Sequence, residues 1–215
     1  MCFSATASFT AGALMAGIGI LTIKAAREPS ELPFAAIPLL FAIQQLIEGV
    51  IWLTFRYETP LLNEVMTQLY SFFSHVLWPI YVPFAVVLIE PPGWRRRVLL
   101  AFVMIGLTVG VYFAYVLTVY QVVSRSTDHH IEYDSPYFFA AMTISLYLLS
   151  TTVSLFLSTY RTVNVFGVLV LLSFAIAYYF YETWFISVWC IFAGLLSVIV
   201  YLHFTPRIIF RKNTS

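Results

Sequence analysis

Three side chains with reactive chemistry fall inside apolar stretches of this chain: Glu48 in QQLIEGVIW (44–52), and Ser71 and His75 in YSFFSHVLWP (70–79). Ionisable groups are expensive in hydrocarbon and are retained there for function by default, usually with a partner. A carboxylate and an imidazole in one dry pocket can be two ligands of zinc or another divalent metal. They can equally form a proton relay, or a general base with its orienting acid. The remaining alternative is a hydrogen bond that ties two helices together. Gln44 and Gln45 precede Glu48 by one helical turn on the same side, and Trp52 follows it at i+4. Ser71, Ser74, His75 and Trp78 share one helix face at i, i+3, i+4, i+7. Pro79, one turn below the serine–histidine pair, is expected to bend that helix and free a carbonyl.

The elements that must position these groups follow from composition. The chain has 215 residues, 61% hydrophobic and 10% charged, against roughly 25% charged in a soluble domain. Nearly uncharged runs long enough to cross a ~30 Å hydrocarbon core recur along it. They are continuous rather than alternating, which argues against a barrel. The expected architecture is a single all-α domain over 1–215, a polytopic bundle of seven transmembrane helices. The spans are expected near 8–23, 34–54, 67–89, 98–120, 137–158, 163–181 and 184–205. No positive n-region or small-residue cleavage site precedes the first run, so it is expected to be retained. Gly12, Ala13, Ala16 and Gly17 offer small-residue faces for close helix packing in span one. Thr143, Tyr147, Ser150, Ser154 and Ser158 form a polar row in span five. Ser187, Cys190, Gly194, Ser197 and Tyr201 do so in span seven. Each row reads as helix packing with local hydroxyl bonds, or as the wall of a polar cavity.

Loop charge orients the bundle. With the N-terminus outside, the inner segments hold Lys24, Arg27, Arg95, Arg96, Arg97, Arg161, Arg207, Arg211 and Lys212, and the outer ones only Arg56 and Arg125. That asymmetry predicts N-terminus out and C-terminus in, which requires an odd number of spans. Helix rise then places Glu48 roughly 9 Å and His75 roughly 12 Å below the outer edge. Adjacent antiparallel spans would bring the two together. Glu182, Asp128, His129 and His130 lie on the same side as further ligand candidates, Glu182 foremost. His203 falls at the opposite end and reads as an interfacial histidine. Cys2, exposed as an N-terminal amine and thiol if Met1 is removed, could chelate or act as a nucleophile. Otherwise Ser4, Thr6 and Ser8 cap the first helix. Phosphate-binding glycine loops, a basic nucleic-acid stripe and an intramembrane lysine are all missing from the sequence.

Two resemblances add to this. MCFSATASF at positions 1–9, the seven runs and the Glu48 stretch resemble an uncharacterised family of bacterial membrane proteins that begin with this motif. That resemblance implies a multi-pass protein of the bacterial inner (plasma) membrane and carries no activity. Ser71-x-x-x-His75 resembles the serine–histidine pair of seven-helix zinc hydrolases such as alkaline ceramidases and adiponectin-type receptors, which implies that both residues sit at zinc or its water. The second His-x-x-x-His of that superfamily is absent, since Ile199 and Arg207 flank His203 at four residues.

The expected protein therefore has an outward-facing polar pocket. Glu48, His75 and Ser71 are the catalytic candidates, Gln44, Gln45, Ser74 and Cys2 contact a ligand, and His75, Glu48 and Glu182 are the metal candidates. One functional expectation is a metal-dependent intramembrane hydrolase of a lipid-like amide or ester, with metal-bound water as nucleophile. The other is a proton-coupled transporter or a small-ligand-binding membrane protein without catalysis. The lipid bilayer is the expected partner and nucleic acid is not.

Overall fold

Helix formation along the chain follows its apolar runs, and proline and glycine punctuate them. The computed structural model describes residues 4–127, 130–134, 140–180 and 185–205. Among these are seven helices in chain order. They are α1 (Ala5–Ala25), α2 (Pro29–Arg56), α3 (Pro60–Ile89) and α4 (Trp94–Val119). After a β-hairpin come α5 (Ala140–Leu148, carried on to Phe156), α6 (Arg161–Phe180) and α7 (Phe185–Leu196, then Val198–Phe204). The first four and α6 are long and apolar enough to cross a membrane. Their outward faces are apolar as well. Leu100, Met104, Leu107, Val111 and Tyr115 form an exposed stripe down α4, the surface that acyl chains would cover.

Several boundaries differ from expectation for local reasons. α3 starts at Pro60 rather than near 67, because proline suits the first helical turn, where no backbone donor is needed. α2 starts at Pro29, through a 3₁₀ turn whose Glu31 carboxylate accepts from the backbone N–H groups of Arg27 and Glu28. The all-α expectation also missed a two-stranded antiparallel hairpin, β1 (Val123–Thr127) with β2 (His130–Asp134). It hangs on α3 through the Thr67–Ser124 hydroxyl contact at 2.8 Å and a hydrogen bond from Ser124 to Asn63 at 3.0 Å. Tyr133 stacks on Tyr70, ring centroids 4.5 Å apart.

α1 and α2 run antiparallel in close contact. The packed face of α1 is Ser8, Ala11, Gly12, Met15, Gly19 and Thr22. Ala13 and Gly17, expected in that face, point outward instead. A Cβ on Gly19 would come within 2.7 Å of the Leu39 backbone nitrogen, so the two helices touch almost backbone to backbone there.

Proline widens α3. Residues Phe72–Leu77 form a π-helical turn, in which the Trp78 N–H reaches back to the Phe73 carbonyl. The next donor in that register would serve the Ser74 carbonyl, but it belongs to Pro79, which has none. The Tyr147 hydroxyl donates to the Ser74 carbonyl instead, at 2.6 Å. One turn further, Pro83 leaves the Pro79 carbonyl without its helical donor, and Gly106 of α4 packs directly onto that oxygen. A second π-helical turn, Leu149–Val153, lies in α5.

The end of the bundle opposite the hairpin is closed by polar pairing. Glu90, 2% exposed, ends α3 and accepts from the Ser158 hydroxyl at 3.0 Å, the Thr159 N–H at 3.0 Å and the Thr159 hydroxyl. Arg95 donates to the Ser158 carbonyl at 3.1 Å. His203, expected at an aqueous interface, is packed in this region. Its Nδ1 lies 2.7 Å from the Thr162 hydroxyl and its ring stands edge-on to Phe34 and Tyr160.

A Cβ at Gly106 would lie 1.9 Å from the Pro79 oxygen, whereas one at Gly17 would meet nothing within 4 Å. Gly106→Ala is therefore expected to destabilise the bundle by about 1–3 kcal/mol, read as a lower Tm in detergent, and Gly17→Ala to leave Tm unchanged.

Candidate functional site

The buried face of α2 carries an unusual stripe for an apolar helix: Ile37, Phe41, Gln44, Gln45, Glu48 and Ile51. Gln44, Gln45 and Glu48 are each 0% exposed. The sequence expectation that these three lie inside the protein on one side of the helix holds. Gln44 has a defined partner. Its Oε1 accepts from the indole N–H of Trp78 at 2.7 Å, and the Trp78 ring stacks on Phe41 with centroids 3.9 Å apart. Indole nitrogen only donates, so this bond fixes which way the Gln44 amide points and turns its Nε2 into the interior.

Several buried polar atoms of α1, α2 and α3 have no hydrogen-bond partner among the described residues. They are Gln44 Nε2, both Nε2 and Oε1 of Gln45, Trp52 Nε1, and the hydroxyls of Ser8 and Ser71. Gly49 of α2 packs on Phe9 of α1, and that register sets Ser8 at the level of Glu48. Buried polar groups in folded proteins are nearly always paired, and a cluster that is not paired marks a place where water, an ion or a ligand belongs. Gln44, Gln45 and Trp52 belong to α2, Ser8 to α1 and Ser71 to α3, and these buried polar faces together are termed the polar chamber.

Nearby lies a small apolar cleft lined by aromatic and branched side chains including Phe41, Trp78, Val82, Tyr147, Phe166 and Trp189. Cys190 of α7 lines the cleft and also faces Gln44, Tyr70 and Glu48, so it marks where chamber and cleft meet. On the other side, the hairpin covers the chamber. Tyr133 lies on Tyr70, and Val122 and Ile131 pack with Ile51, which follows Glu48 by three residues.

His75 sits in the π-helical turn of α3. Its Nδ1 lies 3.1 Å from the Ser71 carbonyl and 2.8 Å from the Ser74 hydroxyl. A carbonyl only accepts, so Nδ1 carries the proton and Nε2 is the basic nitrogen. The ring stands edge-on to Phe113 of α4 at 5.0 Å, so at least part of its environment is that helix. Ser71 contributes an unpartnered hydroxyl to the chamber, and Ser74 bonds back to the Ser71 carbonyl at 3.3 Å.

The expected metal set is harder to assemble. A catalytic zinc needs about three protein ligands, and no three His, Cys, Asp or Glu side chains gather among the described residues. Cys2 and Glu182 lie outside the described residues, as do Asp128 and His129. His130 is buried in β2.

Residue types alone did not mark Phe41, Tyr147 or Cys190 as part of a site. Tyr147 and Cys190 stood in polar rows that read equally well as packing, and nothing in the order of residues said that both faced one cleft.

A model of a family of unknown function (DUF6629) matches residues 1–214. No curated protein matches the chain. No solved structure matches it either.

The two adjacent glutamines should respond differently to removal. Gln45→Met deletes a buried amide that has no partner among the described residues and is expected to stabilise the ligand-free protein by about 1–3 kcal/mol. Gln44→Met strips the Trp78 N–H of its acceptor and is expected to gain less or to lose stability. Tm values of the two variants in detergent, measured against the wild type, check the difference.

Proposed function

The chain belongs to the DUF6629 family, a membership that carries no activity with it, and we propose from the site itself that the protein binds an amphipathic, lipid-like molecule inside a membrane. The observation that carries this reading is the buried amide of Gln45, both ends of which lack a partner among the described residues. An amide in that condition costs free energy in the empty protein, and a bound polar head would remove the cost. The adjoining aromatic cleft suits an apolar tail, since ligand pockets join a mainly apolar lining to a few convergent polar groups. Glu48 would lie at the centre of the head site, with Gln44, Gln45 and Ser71 around it.

In this proposal all seven helices cross the bilayer of the plasma membrane, with the N-terminus outside and the C-terminus inside. α5 and α7 complete the set begun by the five long apolar helices. The Lys and Arg distribution supports the orientation. It puts the hairpin and the polar chamber on the outer side and the Glu90 closure on the inner side. Hydrolysis of the bound molecule would need metal ligands or a nucleophile from segments such as those holding Cys2 and Glu182. Binding would call on Gln44, Gln45, Glu48 and Ser71, which are buried on α2 and α3.

Native mass spectrometry of the full chain released from its membrane tests the reading. The wild type is expected to retain a small molecule of lipid mass that Gln45→Met and Glu48→Gln lose while keeping their helical circular dichroism. A wild type that carries nothing beyond detergent and bulk lipid, at the same occupancy as both variants, would contradict it.

A further inference from the structure

The apolar stripe on the outward face of α4 has a charged foot, since the helix opens Trp94-Arg95-Arg96-Arg97. Trp94, Arg97, Leu100, Met104 and Leu107 recur at three- and four-residue spacing and are all exposed, so they share one helix face. Leu107 follows Arg97 by ten residues, about 15 Å by helix rise. That is the depth of one leaflet of a ~30 Å hydrocarbon core. Trp94 is 64% exposed, and tryptophan is a residue type that favours the headgroup level. Arg95 donates to the Ser158 carbonyl at 3.1 Å, and Arg161 opens α6 three residues later, so a fourth arginine stands at this end of the bundle.

The described part of the protein leaves this charge unanswered. Among the described residues none of Arg95, Arg96 and Arg97 lies in an ion pair, and the first turn of α4 holds no acid. Glu90, the acid closest in sequence, is buried and occupied by Ser158 and Thr159. Glu31, which with Glu90 lies near Tyr160, accepts from the backbone N–H groups of Arg27 and Glu28. The arginines also stand at the positive end of the helix dipole, where cations are disfavoured. The balance calls for an anion from outside, and the stripe above it calls for an apolar chain attached to that anion. Free phosphate would leave the stripe uncovered, and a zwitterionic lipid would bring a cation of its own to the arginines. We propose that Trp94, Arg96 and Arg97 form a binding site for an anionic phospholipid of the leaflet at the Glu90 end. Its phosphate sits at the arginines, and one acyl chain runs along Leu100, Met104 and Leu107.

Tryptophan quenching tests this on the full chain in vesicles of phosphatidylcholine with a minor fraction of phosphatidylglycerol. One vesicle set carries bromine high on the chains of the phosphatidylglycerol, and the other carries it on an equal fraction of the phosphatidylcholine. Brominated phosphatidylglycerol is expected to quench more, because it is enriched beside Trp94. The excess should disappear in Trp94→Phe, which assigns it to that indole. Arg96→Gln combined with Arg97→Gln should keep the helical circular dichroism and lower the preference about twenty-five-fold, about fivefold for each arginine near a lipid surface. Arg125→Gln, which removes an exposed arginine of the hairpin, should leave the excess unchanged, as should added inorganic phosphate. Equal quenching by the two brominated lipids would overturn the proposal. So would an excess that survives in Trp94→Phe or in the double arginine variant, or one that is lost in Arg125→Gln or to inorganic phosphate.

Discussion

Inside an apolar bundle, every buried polar atom must find its hydrogen bond within the protein or from something held by it, because no bulk water is there to supply one. That constraint organises both ends of this molecule, with opposite results. At Glu90 the carboxylate meets Ser158, the Thr159 backbone and the Thr159 hydroxyl, and the loop ahead of α6 is fixed to the end of α3. At Gln45 neither end of the amide is met among the described residues. The first arrangement is complete as it stands and reads as architecture. In the proposed reading the second awaits a guest, which is the ground for placing function at the hairpin end.

The chamber's geometry follows from two prolines in α3. Pro79 withholds the donor due to the Ser74 carbonyl, and Tyr147 crosses from α5 to supply it. The same π-helical turn holds His75 against Phe113 and leads into Trp78, whose indole orients Gln44. Pro83 leaves a second bare carbonyl, and Gly106 lets α4 approach it. π-helical turns of this kind recur at functional sites because they re-aim side chains within a helix that otherwise stays intact. Here the turn lets one helix serve the chamber, the cleft and the α4 contact.

Much of this was legible in the residue order. Continuous apolar runs gave a helical, membrane-type architecture, and Gln44, Gln45 and Glu48 stood out as polar groups that such a helix would have to bury. Pro79 was readable as a source of a free carbonyl, although not that Tyr147 would answer it, since that partner lies far along the chain. The hairpin was illegible because VSRST and HIEYD carry more polar residues than a strand pattern advertises. Their burial comes from packing on Tyr70 and Ile51, which only tertiary structure reveals. Glu90 looked like a loop acid beside Pro91 and Pro92. Its burial depends on Ser158 and Thr159, remote in sequence. The expectation that Glu48 meets His75 rests on their matched depth, and the partners seen for His75 Nδ1, the Ser71 carbonyl and the Ser74 hydroxyl, leave its Nε2 to face away from its own helix backbone.

The central claim is that the polar chamber holds a guest. A density map of the full chain, purified without added ligand and resolved well enough to show ordered water, tests it most directly. The account predicts continuous non-protein density within hydrogen-bonding distance of the Gln45 amide, running past Trp78 into the aromatic cleft. A chamber filled only by separate water peaks, with an empty cleft below, would contradict it.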